Sequence, residues 1–243
     1  MGEKMMDKNS MLYWYPKIKD LGIPQPKTII VDLEADHWSI IATIEGNPKA
    51  VEAKMPEIKL AMAEIGLPLF LRTSHTSGKH DWLKTCYVTD VSKVKDHICE
   101  LIRDTERKEI PIDAFVFREY IEMDSKFTAF SAGMPVNPER RYFIRDGEIQ
   151  CHHAYWIAGA IAESLGKLPD NWLELLADLN TETDEEVELL SKYAQQVADL
   201  MDGYWSVDFC KAKDGQWWSI DMATGERSWH DESCEYYKEF EGI

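Results

Sequence analysis

The chain has 243 residues and a formal net charge of −17, with 44 acidic residues against 27 lysines and arginines. Such an excess argues against a platform for bare nucleic acid, where affinity comes mostly from phosphate neutralisation, yet leaves room for a local basic cleft holding a nucleotide. Hydrophobic residues at 44% and aromatics at 11% suffice for one large or two small domains, with disorder expected only in the first ten residues.

Ser10 to Leu21 reads as a short helix stopped by Gly22 and Pro24, and Thr28-Ile29-Ile30-Val31 as a strand. Asn47-Pro48 suits an N-cap and first helical position, and Val51, Met55, Ile58, Met62 and Ile65 then recur at helical spacing up to Gly66. Pro56 kinks or restarts that run. Pro68 to Arg72 is a buried strand, Thr73 to Lys79 a polar loop, and Thr85 to Thr89 another strand. Asp90 caps a helix carrying Val91, Val94, Ile98 and Leu101, and Ala114 to Ile121 is the next strand. Asp146-Gly147 marks a hairpin turn that sets Arg145 opposite Glu148 and Arg141 opposite His152. Asp170 opens a helix, and Thr183 with Glu186 forms a capping box for a longer helix reaching Met201. Alternating strands and helices followed by hairpins predict an α+β fold with antiparallel sheets.

The five cysteines, Cys86, Cys99, Cys151, Cys210 and Cys234, are odd in number and form no CxxC pair, which fits a reduced, cytoplasmic protein. No apolar run reaches membrane-spanning length, and MGEKMMDKNS carries no signal-peptide core.

The segment WSVDFCKAKDGQWWSIDMATGE, residues 205–226, poses the sharpest chemical question. A two-residue turn at Asp214-Gly215 places Asp208 opposite Asp221 and Phe209 opposite Ile220. Val207, Phe209, Trp218, Ile220 and Met222 then share a core face; Ser206, Asp208, Cys210, Trp217, Ser219 and Asp221 share the other. Two aspartates face to face repel, by about 1 kcal/mol in water and more at lower dielectric, so a cation is expected to offset them. Mg²⁺ suits such paired carboxylates; a solvated hairpin face is the plain alternative. The hydroxyl-rich loop LRTSHTSGK, residues 71–79, could cover phosphates, with Arg72 and Lys79 supplying charge, or be an ordinary surface loop. VFREYIEMD, residues 116–124, could offer main-chain groups to an adenine edge, or be structural sheet. Arg141 suits phosphate through its planar fork. His152 and His153 point to opposite faces of a strand, which argues against their sharing a zinc ion. Cys210 reads as buried filler.

In order, these pieces resemble the ATP-grasp superfamily. LGIPQPKTIIV resembles its opening segment, PLFLRTSHTSGK its strand and flexible phosphate-covering loop, and VFREYIE the linker strand that meets adenine. ERRYFIRDGEI resembles its arginine-bearing strand, and residues 205–226 its terminal metal-binding hairpin. The nearest resemblance is to a small phage-type clade marked by two arginines and a lysine. The resemblance implies two α+β subdomains holding the nucleotide between them: an N-terminal helix or arm at 1–20, a first subdomain at 21–120 with the loop at 73–79, and a second at 121–243 with the hairpin at 205–222. It also implies an ATP- and Mg²⁺-dependent ligase joining a small-molecule or peptide carboxylate to an amine or similar nucleophile through an acyl phosphate, with no nucleic-acid or membrane partner. Arg72, Lys79 and Arg141 would act on the phosphates, Glu119, Tyr120 and Ile121 would line the adenine pocket, and Asp208 and Asp221 would bind metal. Two departures stand out: Asp221 replaces the usual glutamate, and Ala223 cannot ligate metal, with Thr224 a weak substitute. A catalytically weak or inactive nucleotide-binding or protein-interaction module is therefore the alternative. Asp124 is the nearest candidate for a ribose contact, and Trp229, His230 and residues 152–156 for the acceptor pocket. Nucleotidyl transfer to nucleic acid lacks both a lysine motif and a basic track.

Overall fold

In the computed structural model, which describes residues 6–237, Ser10 starts the first helix by accepting a hydrogen bond from Leu12 N–H. That helix, α1 (Met11–Ile18), leads through β1 (Thr28–Asp32), α2 (His37–Ile41), α3 (Lys49–Ala53) and α4 (Met55–Ile65) to β2 (Leu69–Thr73). Pro56 sits in the first turn of α4, so it restarts the helix where a missing N–H costs nothing. The chain continues through β3 (Tyr87–Val88), α5 (Val94–Arg107) and β4 (Ala114–Glu119). These strands form an antiparallel sheet in the order β1-β4-β2-β3. Alternation along β2 and β4 sends Leu69, Leu71, Phe115 and Phe117 into a core beneath Ile58 and Met62 of α4 and Ile98, Leu101 and Ile102 of α5. Phe70, Arg72 and Arg118 take the opposite face.

Beyond a small β5 (Phe127–Ala129) and β6 (Met134–Val136) ribbon come β7 (Glu139–Arg145), β8 (Glu148–Ala154), α6 (Ala158–Ala162), α7 (Trp172–Asn180), α8 (Asp184–Ala198), β9 (Tyr204–Lys211) and β10 (Trp217–Thr224). The second sheet, also antiparallel, runs β10-β9-β7-β8. Its inner face sets Tyr142, Ile144, Val207 and Phe209 against Leu190, Ala194 and Val197 of α8. The Thr183–Glu186 capping box is present in both directions. Thr183→Ala is expected to lower stability by about 1 kcal/mol, read as a shifted urea midpoint at unchanged slope. Among the described residues no helix is long and apolar enough to cross a membrane.

Several local expectations change. The helix expected from Asp170 starts at Trp172, with Asn171 in the cap position. The β7–β8 turn does pair Arg145 with Glu148, but a register shift follows, so Arg141 lies opposite His153 and Tyr142 opposite His152. The N-terminal segment, expected to be disordered, is tied down from Asp7 onward: Met11 N–H donates to Ser74 O, and Asn9 Oδ1 accepts from Thr224 N–H and its hydroxyl. Residues 1–5 of that segment lie outside the described residues.

Candidate functional site

Where the two sheets face each other, a cavity of about 300 Å³ is lined by the eight residues that the resemblance assigns to phosphate, adenine and metal: Arg72, Lys79, Glu119, Tyr120, Ile121, Arg141, Asp208 and Asp221. Period-two alternation explains the convergence. Arg72 and Arg118 leave the first sheet on the face away from its helices; Glu139 and Arg141 leave β7, and Asp208 and Cys210 leave β9, on the face away from α8.

Asp208 and Asp221 are directly paired, but not by the route the turn suggested. The hairpin closes over three residues: Gly215 N–H donates to Ala212 O, Ala212 N–H donates to Gln216 O, and Gly215 has φ 88. Lys211 therefore meets Trp217 and Phe209 meets Ser219, one residue out of the expected register. Trp217 consequently joins the core at 2% exposure while Trp218 and Ile220 do not. A bulge at Ile220 then restores the offset and sets Asp221 opposite Asp208. The bulge turns the Ile220 carbonyl to accept from Arg118 Nη1, a bond between the two sheets.

Arginines already offset the repulsion expected between the aspartates. Arg141 grips Asp208 bidentately, Nε to Oδ1 and Nη2 to Oδ2 at 2.8 Å each, while Nη1 donates to Trp229 O at 3.0 Å. Arg72 Nη1 lies 2.9 Å from Asp221 Oδ1. Burial pulls Arg141 down, but Asp208 outweighs it and its pKa is raised. Burial takes Arg118 down to about 10, with the charge of Arg72 adding to the effect. The Arg141 fork is held by its buried partner through one edge, and its two terminal nitrogens each carry a second N–H beyond these bonds.

Lys79 and Glu139 form a third pair, the ammonium 3.1 Å from both carboxylate oxygens. Lys79 also lies 4.2 Å above the ring of Tyr155 and 4.6 Å above that of Trp156. Burial opposes the charge on Lys79, but Glu139, Tyr155 and Asp208 hold its pKa above the usual value. Burial, helped by Asp208, raises the Glu139 carboxyl in spite of Lys79. The loop before Lys79 is braced rather than free. Ser74 N–H donates to Ala114 O, Thr73 Oγ1 accepts from Thr76 N–H, and Ser74 Oγ reaches Asp113. Gly78 has φ 61, a left-handed conformation that favours glycine, and a Cβ there would lie 2.8 Å from Leu101 Cδ2. Only Ser77 and Lys79 of this loop face the cavity.

A family model for an ATP-grasp domain, the third family of its clade, matches residues 61–238. The chain belongs to this ATP-grasp family. Among solved structures, C-terminally truncated Cdc123 from Schizosaccharomyces pombe aligns at TM-score 0.55 and 14% identity, over 90% of this chain and 86% of that one. The VanG D-Ala:D-Ser ligase from Enterococcus faecalis aligns at 0.50 and 14% identity, over 88% and 52%. The ADP complex of purK, an N5-carboxyaminoimidazole ribonucleotide synthetase, aligns at 0.49 and 12% identity, over 88% and 44%. The chain thus spans about half the length of these two enzymes and most of the length of Cdc123. No curated protein matches it by sequence.

Within this ATP-grasp domain, the stretch after β4 passes from the first sheet to the second and pairs with the hairpin tip: Asp124 N–H donates to Lys211 O and Lys213 N–H to Glu122 O. The Tyr120 ring packs 4.9 Å from Tyr87 and 6.3 Å from Trp82. Asp124 pairs with Lys126 and does not line the cavity, whereas Glu122 does. The donor set fits a hard divalent ion, since both aspartates face one cavity and offer only oxygens. Among the described residues, the Arg72 and Met222 N–H contacts of Asp221 both end on Oδ1. Thr224 is bonded to Asn9 instead.

A second cavity of about 650 Å³ adjoins the first, sharing Arg141, Tyr155 and Trp156 and adding His80, Arg107 and Trp229. Of the residues expected at an acceptor pocket, Tyr155, Trp156 and Trp229 are there. His152 instead stacks on Tyr142 and pairs with Glu182, and His230 stacks on Phe143.

Two imidazoles near the cleft predict an acid-sensitive fold. Burial holds His75 below its usual value against Asp113 and Asp7. Burial, with Lys108 and Lys79, takes His80 down to about 4 against Asp104 and Asp81. The unfolded chain therefore binds protons that the folded one does not. Their contribution is complete above about pH 6.5 and is lost as the pH falls toward about 4. The urea midpoint is expected to drop between about pH 7.5 and about pH 5, and less so in His80→Gln. A flat profile in the parent protein contradicts this assignment.

Proposed function

We propose that the chain is an ATP-dependent ligase that activates a carboxylate as an acyl phosphate and passes the acyl group to an amine or similar nucleophile. The observation that carries this reading is the convergence of Arg72, Lys79 and Arg141 with the opposed Asp208 and Asp221 on one cavity between two antiparallel sheets. The nucleotide lies between halves comprising residues 21–120 and 121–243, adenine against the main chain of Glu119, Tyr120 and Ile121. Arg72 and Lys79 hold phosphates. Arg141, fixed in place by Asp208, stabilises charge on the transferring phosphoryl group with little reorganisation. Asp208 and Asp221 hold Mg²⁺, which when bound neutralises the same charge. The acceptor occupies the 650 Å³ cavity, bounded by Tyr155, Trp156 and Trp229. Positioning supplies most of the rate, since the reaction needs no side-chain nucleophile. ADP and phosphate release that depends on both an added carboxylate and an added amine supports this reading. ATP turnover insensitive to both acceptors contradicts it.

A second reading, nucleotide binding without turnover, is supported by Asp221 and Ala223 at metal-hairpin positions. Thermal shift with ATP, with and without Mg²⁺, separates the two when set beside an acceptor panel. Stabilisation by nucleotide with no turnover across the panel favours the module.

A further inference from the structure

Outside the cavity between the sheets, Cys151, His230 and Cys234 bring their ligating atoms within 4.8 Å of one another. Cys151 lies on β8, whereas His230 and Cys234 belong to the segment following β10. Cys151 Sγ is 3.3 Å from His230 Nε2. Tetrahedral zinc, with bonds of about 2.3 Å to sulfur and about 2.0 Å to nitrogen, sets such atoms about 3.5 Å apart, so this edge is already at ligating separation. The other ring nitrogen of His230, Nδ1, lies 3.3 Å from the Tyr204 hydroxyl. With Nδ1–H donating to that hydroxyl, Nε2 presents its lone pair toward Cys151. A hydrogen bond from the far ring nitrogen fixes a histidine ligand in its metal-binding tautomer. The ring is held in place by stacking on Phe143, with centroids 4.0 Å apart and planes 9° apart. Both cysteines are half-buried, and a cavity of about 260 Å³, lined by Tyr204, His230, Glu232 and Tyr237, opens beside the imidazole.

We propose that Cys151, His230 and Cys234 form a binding site for a borderline-soft divalent cation such as Zn²⁺, with water as the fourth ligand. Binding releases the two thiol protons to water, and the ion takes up the charge of both thiolates. Thiolates with one imidazole select this class of ion over the hard ions suited to the aspartates. The site joins the 225–237 segment to the second sheet. Trp229 of the same segment, next to His230, accepts from Arg141 through its carbonyl.

The test is titration of the reduced, metal-free full-length protein with Co²⁺ alone, followed by displacement with Zn²⁺. One equivalent is expected to produce thiolate-to-cobalt charge transfer in the near ultraviolet and strong tetrahedral bands in the red. Cys151→Ser and Cys234→Ser should each weaken zinc binding at least about 100-fold, Tyr204→Phe about 10-fold, and Cys99→Ser not at all. A chelator should lower the thermal midpoint of the parent protein and leave that of Cys234→Ser unchanged. Absence of the charge-transfer band in the parent protein overturns the proposal, whatever the variants do. So does its persistence in the Cys151→Ser, Cys234→Ser double variant. A Cys151–Cys234 disulfide whose reduction yields no metal uptake overturns it equally. None of these readouts depends on ligase turnover.

Discussion

Asp208→Asn is expected to reduce ATP turnover at least about 100-fold, the scale of losing one preorganised electrostatic contact in a transition state. The substitution removes the charge that holds Arg141 by two 2.8 Å bonds and, on the proposed function, a ligand of the metal. It should also destabilise the protein by about 3 kcal/mol, because removing one partner of a buried pair strands the other. Arg141 is 8% exposed and Asp208 4%, so solvent cannot take over as partner. The double variant Arg141→Gln, Asp208→Asn should recover most of that stability and none of the turnover. Recovery of stability alone identifies the pair as structural as well as chemical; turnover surviving in Asp208→Asn contradicts its proposed role.

Glu139→Gln should behave in a way that only a phosphate-facing lysine explains. Lys79 depends on the Glu139 carboxylate for its counter-charge, and removing that charge should cost about 3 kcal/mol in the absence of nucleotide. ATP phosphates would then supply the missing charge. The ATP-induced rise in thermal midpoint should therefore be larger in Glu139→Gln than in the parent protein. Lys79→Met should be the milder change in the absence of ATP. Burial already raises the Glu139 carboxyl, so it can take a proton once its partner is gone. The same Lys79→Met variant should weaken ATP binding about 10-fold or more, the loss of roughly one charge-assisted contact. If Glu139→Gln and the parent protein gain equally from ATP, the lysine does not face phosphate.

The sequence reveals the residues of this cleft more readily than the paths that bring them together. Turn and cap residues have local causes, which is why the α8 capping box and the β7–β8 turn are where they are expected. Bulges have tertiary causes. The Asp208–Asp221 pairing is correct, yet it arises from a three-residue loop and a compensating bulge at Ile220, whose carbonyl answers Arg118 on the other sheet. The same effect moves Arg141 from His152 to His153. Glu139 and Arg118 were missed as site residues, although each lies on the cleft face, Glu139 two residues from Arg141 and Arg118 on β4 beside β2. Strand alternation from Arg141 would have found Glu139. Asn9 and the Cys151–His230–Cys234 cluster leave no such trace, since their partners lie far away in the chain.

A crystal structure with a non-hydrolysable ATP analogue and Mg²⁺ tests most directly whether the arginine–aspartate cleft receives a magnesium–triphosphate unit. Phosphate oxygens should lie within hydrogen-bond reach of Arg72, Lys79 and Arg141, with the ion on Asp208 and Asp221. An analogue bound elsewhere, or an ion held by neither aspartate, would contradict it.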